Sequence, residues 1–206
     1  LDAAEAWFEK LLELAGQSRD DEFAGRASNN LGVLANIRAR RELALTYYER
    51  ALAAYQRLGH RRGLAQTHYN LGISHRDLGR TEDADRHYRK AIRFAESCGS
   101  EDVVALAETE RAALRIRSGD STLADRWLRD AQGRFESLGD PVRRAEVLRI
   151  RAGASRSRGD LAEARARLEE AFEVASRHSN LLLRAEVQRD RGDLLRHLGE
   201  EEQARA

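Results

Sequence analysis

The chain has 206 residues, of which 36 are basic and 35 acidic, so its net charge is +1. This balance argues against nucleic acid as the main partner, because phosphate binding needs a net basic surface and not only many charges. With one proline, one cysteine and no apolar run of roughly 18 residues, the composition indicates a helical protein of a reducing compartment, the cytoplasm, without a membrane span.

The predicted elements follow a repeat of 40 residues. Glycine and alanine recur at this interval, at Gly79, Gly119, Gly159 and Gly199, at Ala44, Ala84, Ala124, Ala164 and Ala204, and at Ala51, Ala91, Ala131 and Ala171. Each period holds two predicted helices, A and B, joined at such a glycine, for example helix A from Pro141 to Arg158 and helix B from Leu161 to His178. In chain order, helix B of a truncated repeat spans 1–16, repeats span about 21–59, 60–99, 100–139 and 140–179, and a partial repeat spans 180–206.

The two alanine sets lie on one face of helix B, because they are two helical turns apart. Large residues stand between them on that face, at Tyr48, Tyr88, Leu128 and Leu168. A glycine or serine, followed mostly by a good N-cap residue, ends helix B at Gly59, Gly99, Gly139 and Ser179. Since neither helix could bury its apolar stripe alone, the sequence predicts that the hairpins stack and that residues 1–206 form one solenoid domain.

One period resembles the tetratricopeptide repeat family, in Leu71-Gly72, His75, Gly79, Ala84, Tyr88 and Ala91. The period is longer than the family's usual 34 residues and is similar to that of kinesin light chain, spindle-orientation adaptors and bacterial signal-sensing regulators. The chain departs from the family where leucine is usual, since arginine stands there at Arg111, Arg151 and Arg191. The resemblance implies an all-α fold, a right-handed α-α superhelix (solenoid) of antiparallel helical hairpins.

The resemblance also implies that the A helices line the groove in which a partner binds. Carried across residue by residue, the peptide-binding positions are Asn29, Asn30, Asn36, Tyr69, Asn70, Ile73, Arg76, Arg149 and Arg156. Asn30 and Asn70 lie one period apart, and a side-chain amide both donates and accepts, so the pair could hold the backbone of an extended peptide. The alternative is that these amides only bond to neighbouring helices. Arg149 and Arg156 are expected to attract acidic side chains.

No residue pattern indicates a metal, a cofactor or a catalytic site. His68 and His75 share a helix face, but their i, i+7 spacing is not that of metal ligands, and we interpret them as packing residues. Cys98 is interpreted as a packing residue too, because Leu58 and Leu138 stand in its place in other repeats.

We therefore expect a non-catalytic scaffold that binds a protein or an extended peptide. The alternative is an effector-sensing segment of a bacterial signalling or transcription regulator, in which the repeats bind a small effector and change curvature. A closed pocket in the groove and a ligand-dependent rise in melting temperature would favour that alternative.

Charged pairs such as Asp125 with Arg129 are expected to support exposed helix surfaces.

The ends of the chain fall inside repeats, since Leu1 begins a helix B and Ala206 lies about two turns into another. We expect a fragment of a larger multidomain protein. Apolar residues of the two terminal helices should then lack part of their cover, namely Trp7, Phe8, Leu11 and Leu12, and Leu194, Leu195 and Leu198. Exposed apolar surface seeks a partner, so we predict self-association or fraying at the ends. Trp7 is otherwise interpreted as packing between hairpins.

Overall fold

The computed structural model describes residues 1–199, which form ten α-helices and no strand. In chain order the helices are α1 (Asp2–Ser18), α2 (Asp21–Ile37), α3 (Arg41–Leu58), α4 (Arg61–Asp77), α5 (Thr81–Glu96), α6 (Glu101–Arg117), α7 (Ser121–Ser137), α8 (Pro141–Ser157), α9 (Leu161–Arg177) and α10 (Leu181–His197). Even-numbered helices are the predicted A helices and odd-numbered ones the B helices. The all-α fold of helical hairpins is confirmed, and the helix B expected after Gly199 lies outside the described residues.

The turns between helices use the left-handed backbone region at the predicted positions. Gly79, between α4 and α5, has φ +74°. Ser179, between α9 and α10, takes the same conformation with φ +53°, and so does Ala39 with φ +60°. A residue with a side chain pays roughly 1–2 kcal/mol for this conformation, which explains why glycine holds most of these turns.

The predicted N-caps are confirmed where the side-chain contacts are described. The carboxylate of Asp140 accepts a hydrogen bond from the Arg143 amide at 2.9 Å, and the His60 ring nitrogen Nδ1 accepts one from the Gly63 amide at 2.9 Å. Each cap satisfies an amide that has no partner within its own helix. Both helices therefore begin where the sequence predicts.

The chain divides into two compact units, unit 1 (Leu1–Ala107) and unit 2 (Glu108–Ala206). Within unit 1, α2 packs on α3 and α4 on α5, and α2 and α4 are also in contact. Within unit 2, α8 packs on α9, and α10 contacts both of them. The prediction that all 206 residues form one domain stays a prediction.

Tyrosine rings seated on glycines form the centre of unit 1. A Cβ atom added to Gly32 would lie 2.4 Å from Cε1 of Tyr48, and one added to Gly72 would lie 2.3 Å from Cε1 of Tyr88. Both rings are fully buried. Since such distances are far inside van der Waals contact, the Leu-Gly sequences serve hairpin packing by letting a helix B ring reach the backbone of helix A.

Leucine and alanine take these places in unit 2. Ala152 and Leu168 belong to one buried cluster together with Ala164, Leu183 and Leu194. A leucine side chain is smaller than a tyrosine ring, which leaves room for the Cβ of alanine on helix A. The two units thus fill similar volumes with different pairs of residues.

Three sequence interpretations are corrected by the packing. Trp7 is 70% exposed, which confirms that it lacks cover on the terminal helix and corrects the interpretation that it packs between hairpins. Cys98 is exposed, as are Leu58 and Leu138, because this position lies at the end of helix B, beside the turn and outside the core. Leu194, expected to lack cover, is only 3% exposed because it packs in the α8–α10 cluster. Self-association through the ends stays a prediction.

No helix among residues 1–199 is long and apolar enough to cross a membrane.

Candidate functional site

Polar side chains between α2 and α4 form the first part of the predicted site. Oδ1 of Asn29 accepts hydrogen bonds from Nδ2 of Asn70 at 3.1 Å and from Oγ1 of Thr67 at 3.3 Å. Gln66 donates to Oδ1 of Asn70 at 3.4 Å, and Asn70 is only 7% exposed. Two roles were predicted for Asn70, holding the backbone of a peptide and bonding to a neighbouring helix. These contacts show the second of them. Binding of a partner by Asn29 and Asn70 stays a prediction.

A second connection joins the same two helices one to two turns further on. Oγ of the buried Ser74 donates to Oδ1 of Asn36 at 3.1 Å. The Arg41 guanidinium donates to the backbone carbonyl of Asn36 and lies 3.4 Å from Oδ2 of Asp77. These bonds fix α2 and α4 against each other, and they use Asn36 as part of the fold.

The remaining predicted residues of unit 1 line the accessible part of the A helices. Asn30 is half-buried, and its amide has no hydrogen-bond partner among residues 1–199. Tyr69 and Ile73 are half-buried, and the Tyr69 ring packs 6.1 Å from that of Tyr88. Arg76 donates to the Asp77 carboxylate from Nε at 3.0 Å and from Nη2 at 2.8 Å.

Arg149 and Arg156 lie on α8 in unit 2. Arg149 pairs with two carboxylates of α10, with Asp190 at 2.9 Å and Glu186 at 3.3 Å. Its charge is therefore balanced inside the fold. Arg156 lines a small crevice of about 70 Å³ beside Gly153 and has no carboxylate within 4 Å in the described part of the chain.

Three histidines of unit 1 form a stacked group next to this face. Nδ1 of His68 lies 3.1 Å from Nδ1 of His87, and the His75 ring stacks on His87 with 5.1 Å between centroids. Burial, with repulsion from His87, Lys90 and Arg93, lowers the pKa of His68 to about 3. Burial also lowers the pKa of His87 to about 4. The rings are thus neutral packing groups at neutral pH.

Among the described residues, no group of three or more histidine, cysteine, aspartate or glutamate side chains is placed to hold a metal ion.

A buried arginine network occupies the matching interior of unit 2. Arg151 is 9% exposed and donates to Asp125 at 3.1 Å and to Gln132 at 2.5 Å. Arg167 donates to Glu163 at 2.6 Å and lies 3.9 Å from Asp125. The arginine at the family's leucine position is therefore a buried cation with its own carboxylate.

The expected i, i+4 ion pair between Asp125 and Arg129 is present at 3.5 Å. Support of an exposed helix surface is, however, only part of what Asp125 does. Asp125 also faces Arg151, which lies on a different helix. Its carboxylate is therefore part of the interior of unit 2 and not only of an exposed surface.

Sequence reasoning missed the partners of the predicted residues, although a signal was present. Asn29 with Asn70 and Arg149 with Asp190 are both separated by 41 residues. These are the same two repeat positions, three periods apart. Comparing each A-helix residue with the one 41 positions later would have found both contacts.

This geometry defines a class of protein, a helical-repeat scaffold whose A helices are joined by side-chain hydrogen bonds. Residues 23–97, from α2 to the end of α5, match the family model of the tetratricopeptide repeat. The resemblance drawn from the sequence is confirmed: residues 23–97 are tetratricopeptide repeats. None of the curated proteins matches the sequence.

Solved structures share the fold at low sequence identity. BtubC (BKLC) from P. vanneervenii is 19% identical with a TM-score of 0.79, and the match covers 99% of this chain and 86% of that one. Aspartyl phosphate phosphatase F from Bacillus subtilis is 15% identical with a TM-score of 0.83, over 97% of this chain and 52% of that one. A Rap protein complexed with competence and sporulation factor is 13% identical with a TM-score of 0.77, over 98% of this chain and 60% of that one. The chain thus spans about half to two thirds of the last two proteins.

Proposed function

We propose that the chain is a non-catalytic scaffold that binds a protein or an extended peptide on the A-helix face of unit 1. This face is defined by Asn30, Ile37, Tyr69, Ile73 and Arg76. The observation that carries the proposal is the unpaired amide of Asn30, since its counterpart one period later, Asn70, is hydrogen-bonded on both sides.

The helices that carry this face are held in place before a partner binds. Asn29 joins Asn70 and Thr67, and Asn36 joins Ser74, so α2 and α4 are connected at two levels. A surface that is already ordered loses less entropy on binding. The internal asparagines therefore support a binding surface without being its contact residues.

The chemistry of the face suits an extended peptide. The Asn30 amide can donate to a peptide carbonyl and accept from a peptide amide. Ile37 on α2, which is 62% exposed, and Ile73 on α4 offer apolar contacts. Arg76 is paired with Asp77, so the face carries little net charge. Arg156 in unit 2 is the better candidate for an acidic side chain, because Arg149 already has two carboxylates.

Support for a peptide or protein partner also comes from the Rap structure, which contains competence and sporulation factor. The phosphatase activity in the name of the Bacillus subtilis protein belongs to that protein, and the sequence of this chain has no recognisable catalytic constellation. We keep the cytoplasm as the expected location.

The test is a selection of peptides from a phage-displayed library on the purified chain, followed by calorimetry of a selected synthetic peptide. We expect Asn30→Ala and Ile37→Ala each to weaken binding about 5-fold, because each removes one contact of an exposed face. Arg126→Gln is the matched control, since Arg126 is exposed on α7 in unit 2. Selected peptides that bind Asn30→Ala and Ile37→Ala as tightly as the unchanged chain would show that the partner uses another surface.

A further inference from the structure

Unit 1 contains a cavity of about 590 Å³ between α1, α2 and α3. None of the residues proposed for peptide binding lines it. Its apolar walls come from small residues of all three helices, among them Ala15, Ala24 and Ala54. The volume is that of sites that bind small molecules, which are typically about 300–1,000 Å³.

The next period shows why a cavity exists here. Leu64 and Phe94 stand there one period after Ala24 and Ala54, and they pack in one buried cluster. The counterpart of Ser28 is His68, whose ring stacks on Phe94 with 5.6 Å between centroids. Large side chains therefore fill this space in the later period, whereas three small residues line it in the earlier one. The cavity is a property of these residues and not of the repeat.

The rim of the cavity carries a small excess of positive charge, because Arg19, Arg50 and Arg57 line it together with Asp20 and Asp21. Arg57 binds the Asp21 carboxylate through Nε at 2.9 Å and Nη2 at 2.5 Å, which holds the pKa of Asp21 below its usual range. The Asp20 carboxylate also has partners, because it accepts hydrogen bonds from backbone amides at the start of α2. Arg19 and Arg50 line the same cavity and have no carboxylate within 4 Å in residues 1–199.

A polar group inside the cavity lacks a partner. Ser28 lines the wall and is 1% exposed. Its hydroxyl makes no hydrogen bond within the described part of the chain. The Ser28 hydroxyl is therefore a polar point among the alanines of the wall.

We propose that this cavity binds a small amphipathic anion, an aliphatic carboxylate. The aliphatic chain lies against the alanine-rich walls. The carboxylate lies at the rim with Arg50 and Arg19, since guanidinium groups bind carboxylates through two parallel hydrogen bonds. This site is independent of the peptide-binding face, so each proposal can fail alone.

The test is calorimetric titration of the purified chain with decanoate below its micelle concentration. Decan-1-ol keeps the chain and removes the charge, decylamine reverses the charge, and acetate removes the chain. We expect saturable decanoate binding, weaker decanol binding, and no binding of decylamine or acetate. Arg50→Gln should weaken decanoate binding about 10-fold and leave decanol within about 2-fold, because a charge-assisted hydrogen bond is lost.

Variants that copy the next period test the cavity itself. Ala24→Leu places at α2 the residue that stands at Leu64, and we expect it to weaken decanoate and decanol alike, at least about 10-fold. Ala166→Leu, on the exposed surface of α9, and Arg126→Gln are the matched controls and should bind as the unchanged chain does. Ser28→Ala changes little volume and leaves the rim unchanged, so it should bind decanoate within about 2-fold of the unchanged chain. Circular dichroism checks that each variant keeps its helices.

The proposal is overturned by any of three results: the unchanged chain shows no saturable decanoate binding, decylamine binds as tightly as decanoate, or Ala24→Leu binds decanoate unchanged. Asn30→Ala should bind decanoate normally, and Arg50→Gln should bind the selected peptide normally. A loss of both ligands in one of these variants would indicate a folding defect and would also count against a separate site.

Discussion

Asn29 and Asn70 in unit 1 occupy the same repeat positions as Arg149 and Asp190 in unit 2, and both pairs join adjacent A helices. Unit 1 uses an amide–amide hydrogen bond of 3.1 Å, whereas unit 2 uses an ion pair of 2.9 Å. These two pairs of helices therefore place a donor opposite an acceptor with different residues. A charged pair in unit 2 thus takes the place of a neutral pair in unit 1, and both pairs connect adjacent A helices.

The interiors differ in the same way. In unit 1 a tyrosine ring lies on glycine, as Tyr88 does on Gly72, and neutral histidines stack beside it. In unit 2 leucine lies with alanine, and the buried Arg151 is balanced by Asp125. Each unit satisfies volume and hydrogen bonding by pairs of residues that change together. Breaking one member of a pair should therefore cost more than replacing both.

The largest effect is expected from Asp125→Ala in unit 2. It removes the carboxylate of the buried Arg151, and loss of one partner of such a pair costs about 3 kcal/mol of unfolding free energy. The double variant Asp125→Ala with Arg151→Leu, which restores the family's residue, should cost less than about 1 kcal/mol. Urea unfolding followed by circular dichroism measures both. Equal losses in the single and double variants would refute the pairing.

The second effect tests the tyrosine–glycine pair of unit 1. In Gly72→Ala the new Cβ would lie 2.3 Å from the Tyr88 ring, and overpacking of this kind costs about 2 kcal/mol. Adding Tyr88→Leu reproduces the leucine–alanine pair of unit 2 and should recover at least half of the loss. Gly153→Ala is the control, because no atom lies within 4 Å of the new Cβ, and it should add about 0.5–1 kcal/mol. A neutral Gly72→Ala would contradict the close packing.

A third difference concerns pH, because the histidine group belongs to unit 1. The pKa of His68 is about 3 in the folded protein, against an ordinary 6.5 in the unfolded chain. Between these values only the unfolded chain binds the proton, so this contribution to stability is complete above pH 6.5 and falls as the pH decreases towards 3. The loss approaches about 1.4 kcal/mol per pH unit.

Unfolding at pH 7.5 and pH 5.5 measures this dependence. His68→Phe removes the titrating group and should lose less stability over this range than the unchanged chain does. Hydrogen exchange should place the difference in α4 and α5. An equal loss in both proteins would show that His68 is not responsible.

The smallest effect separates the two asparagines that the sequence treats alike. Asn70→Ala leaves the Asn29 carbonyl with one donor fewer, so we expect a loss of about 1 kcal/mol. Asn30→Ala removes an amide without a partner in the described residues and should cost less than about 0.5 kcal/mol. Thermal unfolding compares the two, and a larger loss for Asn30→Ala would reverse the assignment of their roles.

The sequence predicted the helices and turns from local signals. Gly79 and Ser179 mark turns because a left-handed residue is needed at a helix end, and Asp140 marks a helix start because its carboxylate caps a free amide. It also predicted the nine candidate site residues as one class. It did not separate Asn30 from Asn70, since both have the same sequence neighbours, Leu-Gly.

By itself, the sequence determined the period, the helix order and the faces on which small and large residues lie, because these follow from spacing along a single helix. Only the tertiary structure decided that Asn70 bonds to Asn29, that Arg149 is balanced by Asp190, and that Ala24 lines a cavity where Leu64 fills one. These outcomes depend on distances between helices and on side-chain rotamers. Such distances are set by packing over a whole period, so no local pattern contains them.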